Sequence, residues 1–345
     1  MNHLPWRKLR RVFLRPLTTG PRGRSGGPDE TTRGRPAMPI NLPAGLPARQ
    51  TLEREQIFAL SEAEAQRQDI RPLEIGVLNL MPDKLATEAQ LARVLGNTPI
   101  QVNLTLVTTA TYRPANVPEE HLTSFYSTWD SIRHRCFDAF IVTGAPVELL
   151  DWEEVAYWEE LLAIFEWTRT NVYASLFICW GAQAALQYFH GVPKHRLGEK
   201  RFGVYLHRPT DPRSSLMAGF DDEFWVPVSR ETEVRREDIE DIPSLTVVSD
   251  SVVSGLSVLY DRDAHQVFSF NHPEYGPDTL RREYERDVAE GLDRRPPREY
   301  FPDDDPRRAP VVRWRSHGHL FFANWLNHHV YQYVSFADDA LEDIA

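Results

Sequence analysis

"LFICWGAQAAL", residues 176–186, is the stretch from which the rest of the chain can be read. Leu176, Phe177 and Ile178 have the pattern of a buried strand end, and Gly181, Ala182, Ala184 and Ala185 that of a small-residue helix start. Between them stands Cys179, one of only two cysteines in 345 residues. A residue on a sharp strand-to-helix turn is held exposed at the top of a sheet. There a helix N-terminus favours thiolate and offers backbone N–H groups to an oxyanion. An inert buried cysteine is the alternative. Cys136, just ahead of "FDAFIVTG", lacks this setting and reads as structural.

Outward from this junction, strand-like and helix-like segments alternate from about residue 73. "LEIGVLNL" (73–80), "QVNLTLVTT" (101–109), "FDAFIVTG" (137–144) and "VYASLFIC" (172–179) read as strands. "KLATEAQLARVLG" (84–96), closed by Gly96, and "EEVAYWEELLAIFEWTRT" (153–170) have helical spacing. Near-continuous apolar strands separated by helices predict an α/β, doubly wound, mostly parallel sheet covered on both faces. Beyond residue 200, "RFGVYLHR", "LTVVSDS", "SVLYDR" and "QVFSFN" are shorter and predict an antiparallel extension. Helices are expected over about 277–290 and around "HLFFANWLNHHVYQYV" (319–334). The chain has no internal repeat.

Composition bounds the function. The chain is 41% hydrophobic and 26% charged, with a net charge of −11, which argues against nucleic acid as a general partner. Two cysteines cannot build a disulfide framework or a structural zinc site. The absence of a long apolar run predicts a cytoplasmic protein with no membrane partner. Residues 1–37 hold nine Arg or Lys against Asp29 and Glu30 and are rich in Gly, Pro and Ser. They are expected to be a disordered basic leader, either a transit peptide or sequence upstream of a true start at Met38; the second reading is preferred because "MPINLPAGLPA" begins cleanly. Residues 38–335 are expected to form a single domain, and 336–345 an acidic tail.

In doubly wound sheets reactive groups collect at the carboxyl ends of strands. Cys179, Gly144 and His272 all fall at such ends. "NHPEY" (271–275) supplies an imidazole and a carboxylate two residues apart. A thiol nucleophile needs a base, and the base needs a group that fixes its tautomer, so Cys179, His272 and Glu274 suit a catalytic triad. In "VTGAPVELL" (142–150), the Ala145 N–H can join that of Trp180 in an oxyanion hole; a plain turn is the alternative. His317 and His319 in "RSHGHLFF" lack a third ligand and read as loop or packing residues, so no metal is expected. No phosphate-cradling or dinucleotide-binding loop is present.

With these residues placed, the chain closely resembles the homoserine O-acyltransferase family of methionine biosynthesis, of the glutamine amidotransferase-like type. The resemblance spans roughly residues 38–335 and rests on "LNLMPDKLATE", "VTGAPVELLDWEEVAYW", "FICWGAQAALQYFHGVPKH", "NHPEY", "YFPDDDP" and "WRSHGHLFFANWLN". It implies a flavodoxin-like, class I glutamine amidotransferase-like fold and a ping-pong acyl transfer. Cys179 then carries the acyl group as a thioester, His272 is the general base and Glu274 supports it. Acyl-CoA and L-homoserine are the implied substrates, with no further cofactor, and a homodimer is the implied assembly. Lys200, Ser229 and Arg286 match substrate-binding positions, and Lys84 in "MPDK" matches a family lysine of unassigned role. The position that separates donors in this family holds Glu148, which accompanies acetyl-CoA rather than succinyl-CoA. A carboxylate there repels a succinyl carboxylate and tolerates acetyl.

Val228 stands where the family usually has histidine, and Asn271 where it has glycine. Both are expected to flank the acceptor, which keeps L-serine open as an acceptor beside homoserine; succinyl-CoA stays open as the alternative donor. A glutamine amidotransferase is the rival activity on this scaffold. It is disfavoured by Phe177, which replaces the usual glycine two residues before the nucleophile, and by the lack of a synthase domain. A non-catalytic sensor is disfavoured because all three triad residues are present.

Overall fold

The computed structural model describes residues 40–43, 45–55, 59–60, 71–112, 117–211, 213–292 and 295–334. These belong to the unit that begins at Met38. The basic leader 1–37 and the acidic tail 336–345 lie outside the described residues.

Among the described residues, twelve strands join in one sheet. In chain order they are β1 (Ile40–Asn41), β2 (Ala59–Leu60), β3 (Leu73–Leu78), β4 (Val102–Thr108), β5 (Tyr126–Thr128) and β6 (Phe137–Val142). There follow β7 (Val172–Ile178), β8 (His195–Pro209), β9 (Phe224–Glu233), β10 (Leu245–Ser251), β11 (Gly255–Asp261) and β12 (Gln266–Ser269). The spatial order is β2-β1-β4-β3-β6-β7-β12-β11-β10-β8-β9, with β5 beside β4. Every pairing from β2 through β7–β12 is parallel, and every pairing beyond β12 is antiparallel. The parallel core with an antiparallel extension is therefore as expected.

The main helices are α1 (Pro47–Arg54), α2 (Lys84–Leu95), α3 (Trp158–Asn171), α4 (Trp180–His190), α5 (Thr279–Ala289) and α6 (Arg315–Trp325). The Asp83 side chain caps α2 by accepting from the Ala86 N–H. All six residues of β6 are buried, because a central parallel strand is covered on both faces. On one face α3 and α4 bring Leu161, Ile164, Phe165 and Trp180 against Phe177 and Phe268. A second core packs Tyr275 and Leu280 against Tyr300 and Trp314. No helix among the described residues is long and apolar enough to cross a membrane.

Four details depart from the sequence reading. The strand β9 was not expected: Pro227 and the polar run "SRETE" hide its alternation, and Pro is tolerated because β9 is an edge strand paired only with β8. β12 is antiparallel to β11 but parallel to β7, so it is the seam between the two halves rather than part of the extension alone. The helix expected over 153–170 is a 3-10 turn at Trp152–Glu154 followed by α3. The carboxyl-terminal helix passes through a π-helical turn at Leu326–Tyr331.

Candidate active site

Cys179 has φ 53° and ψ −118°, a left-handed backbone that L-residues rarely adopt. It is the N-cap of α4, and its own N–H donates to Ser269 O at 2.7 Å, across from the end of β12. The turn is tight enough to exclude side chains around it. A Cβ on Gly181 would stand 2.6 Å from Thr143 O, and one on Gly144 would stand 3.1 Å from Cys179 Cβ. These contacts explain the small residues on both sides of the thiol. They also bring the Ala145 loop, after β6, against the first turn of α4.

Parallel register sets the third loop. Ser269 of β12 pairs with Ile178 of β7, so the chain that leaves β12 emerges beside Cys179. The His272 N–H donates to Pro227 O at 2.9 Å, which ties this loop to β9. His272 Nδ1 lies 2.7 Å from Glu274 Oε1, and the ring stacks on Tyr275 with centroids 4.0 Å apart. The carboxylate thus fixes one ring nitrogen and leaves Nε2 for another partner.

The electrostatics couple the three groups. Burial pushes the Cys179 thiol up, opposed by the charge of His272 and reinforced by Glu148. Burial alone would lower the His272 imidazole. The negative charge of a Cys179 thiolate and of Glu274, with hydrogen bonds that the ring donates to both, outweighs burial and holds it well above the ordinary histidine range. A charge on either group therefore stabilises the opposite charge on the other.

Glu148 closes one side, with Oε1 3.7 Å from Cys179 Sγ. The backbone N–H groups of Glu231 and Thr232 donate to its other oxygen, the latter at 3.2 Å. Burial raises its pKa, against the lowering effect of the Glu231 N–H and of the charges of Arg230 and His272.

Arg230 is the buried cleft side chain that sequence reasoning missed, because "SRETE" looks like a solvated charge run. It is 2% exposed and donates to the carbonyls of Leu256, Phe270 and Ser254. Asn271 Oδ1 also accepts from it at 3.2 Å, while Asn271 Nδ2 lies 3.0 Å from His207 Nε2 and donates to Ser257 Oγ at 2.8 Å. Asn271 and Val228 are the two positions expected to flank the acceptor. Both are fully buried and neither lines the cleft in front of Cys179. Val228 is packed without exposed surface, while its neighbour Ser229 reaches the cleft. Asn271 stands behind Arg230 as its anchor.

The cleft itself has a volume of about 560 Å³ and brings together Ala145, Glu148, Cys179, Lys200, Ser229, Arg230, His272 and Arg286. Two acids on α5 organise its far wall. Asp287 lies 3.1 Å from Lys200 Nζ and accepts from Arg286 Nη2 at 2.7 Å. Glu283 accepts from Ser229 Oγ and, at 2.7 Å, from the Tyr275 hydroxyl. Their i, i+4 spacing around Arg286 in "YERDV" was a legible signal for one functional face. Lys84 lies outside this cleft. It is buried, donates to Asn79 O, has its pKa lowered to about 8 by burial, and lines a neighbouring cleft with Tyr112 and Tyr157. His317 and His319 sit on α6 rather than in a loop, and His317 Nε2 lies 3.2 Å from Asp221.

A family model described as homoserine O-succinyltransferase (HTS) matches residues 39–336. The chain belongs to this family. Relatives within it carry a different donor in their names. A homoserine O-acetyltransferase of Agrobacterium fabrum is 52% identical over 89% of this chain and all of its own length. One of Synechococcus is 55% identical over 86% of this chain and its full length. Among solved structures, a glutamine amidotransferase from Thermotoga maritima has a TM-score of 0.52 at 14% identity, covering 76% of this chain and 99% of that one. This likeness shows the class I glutamine amidotransferase-like fold and nothing of the reaction.

Proposed function

We propose that the protein transfers an acetyl group from acetyl-CoA to the side-chain hydroxyl of L-homoserine, in methionine biosynthesis. The observation that carries this reading is Glu148 against a strained Cys179 paired with His272 and Glu274. The names of relatives at 52–55% identity support it. So does the chemistry of the pocket, since a buried carboxylate beside the thiol disfavours a succinyl donor.

In this mechanism His272 Nε2 takes the Cys179 proton, and the thiolate attacks the thioester carbonyl of acetyl-CoA. The Ala145 and Trp180 N–H groups receive the developing oxyanion, where donors fixed in advance cost no reorganisation. The tetrahedral adduct collapses, the CoA sulfur leaves with the proton from His272, and Cys179 holds the acetyl group as a thioester. His272 then takes the proton of the homoserine hydroxyl, which attacks that thioester and regenerates the thiol. Glu274 keeps Nδ1 protonated throughout, so that Nε2 is free to accept. Arg286 and Lys200 are the groups for the homoserine carboxylate, and Ser229 supplies a hydroxyl beside them.

Mass spectrometry of the protein mixed with acetyl-CoA alone tests the first half-reaction. A 1:1 acetyl adduct is expected on the peptide that carries Cys179, and none in Cys179→Ala. An adduct on another residue, or full turnover in Cys179→Ala, refutes the mechanism. A thiol-release assay that crosses acetyl-CoA and succinyl-CoA with homoserine and serine tests donor and acceptor. Ammonia release from glutamine would replace this reading with amidotransferase chemistry.

A further inference from the structure

Behind the loop that carries His272 and Glu274 lies a second cleft, of about 520 Å³. Its floor is the run Pro273–Pro277, and its walls come from Arg93 on α2 and from Arg315 and His319 on α6. The volume is that of a small-molecule site, typically about 300–1,000 Å³. It is separate from the cleft at Cys179, with Tyr275 the one lining residue they share.

The cationic groups here are unequally occupied. Arg93 is held by Glu55, with Nη2 donating to Oε1 at 2.7 Å. Arg315 is exposed and has no hydrogen-bond or ion-pair partner among the described residues. The buried Nδ1 of His319 also has no partner. Burial, then the charges of Arg93 and Arg315, hold the His319 imidazole below its ordinary range, and Glu55 opposes them. Glu274, the other acid at this cleft, holds His272 through Oε1, while its Oε2 is buried and has no partner among the described residues. A guanidinium without a partner beside an imidazole without one is an arrangement that a bound anion completes.

We propose that this cleft binds a small organic anion, with its carboxylate or phosphate between Arg315 and His319 and its apolar part on Val94, Pro277 and Val312. The site bears directly on catalytic geometry. A Cβ on Gly318 of α6 would stand 2.2 Å from Pro273 O, so α6 is in backbone contact with the residue after His272. A ligand between α2, α6 and this loop fixes the loop from behind.

Inorganic phosphate is the probe, followed by thermal melting of the full chain at ionic strength held constant with chloride. Wild type should show a saturable rise in Tm. The phosphate affinity should fall about tenfold or more in Arg315→Ala and in His319→Ala, the scale of one lost charge-assisted hydrogen bond. It should hold within about twofold in Arg286→Ala, which reports on the cleft at Cys179. Arg315→Gln serves if the alanine variant does not fold. Acetate run in parallel separates carboxylate from phosphate recognition, and either anion acting through Arg315 supports the site. No rise beyond matched chloride, or a rise that persists without Arg315 and His319, overturns the proposal. A rise lost in Arg286→Ala does the same, since it assigns the anion to the front cleft.

Discussion

Donor choice should depend on one charge. Glu148 Oε1 is 3.7 Å from Cys179 Sγ, so an acyl group on that sulfur grows alongside the carboxylate. With a succinyl carboxylate roughly 5 Å from it and an effective dielectric of about 20, the repulsion is about 3 kcal/mol, or about 100-fold. The buried Arg230 guanidinium offsets part of this, so Glu148→Gln, which removes the charge and keeps the bulk, should raise the succinyl-to-acetyl ratio of kcat/KM about 30-fold. Glu148→Gly removes bulk as well and should add up to about another tenfold, the scale of one pocket contact. The ratio should be measured at pH 8 with saturating homoserine, because burial raises the Glu148 pKa and protonation would erase the repulsion at lower pH. For the same reason the wild-type ratio should climb towards the glutamine value as pH falls. The stability sign follows from the same shift. A carboxyl whose folded pKa is raised contributes stability below its unfolded pKa and loses it as pH rises through the folded value, so Glu148→Gln should raise Tm at pH 8 and little at pH 4. A ratio that stays fixed in both variants would falsify the charge argument and leave the donor to other residues.

Two further outcomes follow from the geometry. Removing the imidazole in His272→Asn leaves burial at the Cys179 thiol opposed only by the charge of Arg230, so alkylation of Cys179 by iodoacetamide at pH 7 should slow about tenfold or more; an unchanged rate would mean that His272 does not draw the thiol proton. Gly181→Ala places a methyl 2.6 Å from Thr143 O and should cost about 1–3 kcal/mol in urea unfolding; a loss below about 0.5 kcal/mol would show that α4 can slide away from β6 freely.

The sequence by itself determined the parallel half of the sheet, because buried strands write themselves as apolar runs and the helices between them keep a 3.6-residue period. It also determined the junction at Cys179, where small residues on either side record how closely α4 must approach β6. "NHPEY" placed an imidazole and its carboxylate on one loop, two residues apart, so their hydrogen bond was legible as a local contact. Its meeting with Cys179 was not, since that depends on β12 pairing with β7 across the 87 intervening residues between Ile178 and Gln266, which no local pattern counts. Edge strand β9 escaped notice because its inner face is polar where it serves the cleft. Arg230, read along the chain, is one charge in a charged run; only the fold buries it behind Cys179 and supplies four acceptors to hold it. The same holds for Asn271 and Lys84, whose residue types were visible but whose places outside the lining of the cleft at Cys179 were not. Sequence fixes which groups a chain carries, and local periodicity fixes their elements. Which charges lose their water, and which face one another, is decided by long-range strand pairing, because desolvation and Coulomb energy depend on distances in space rather than along the chain.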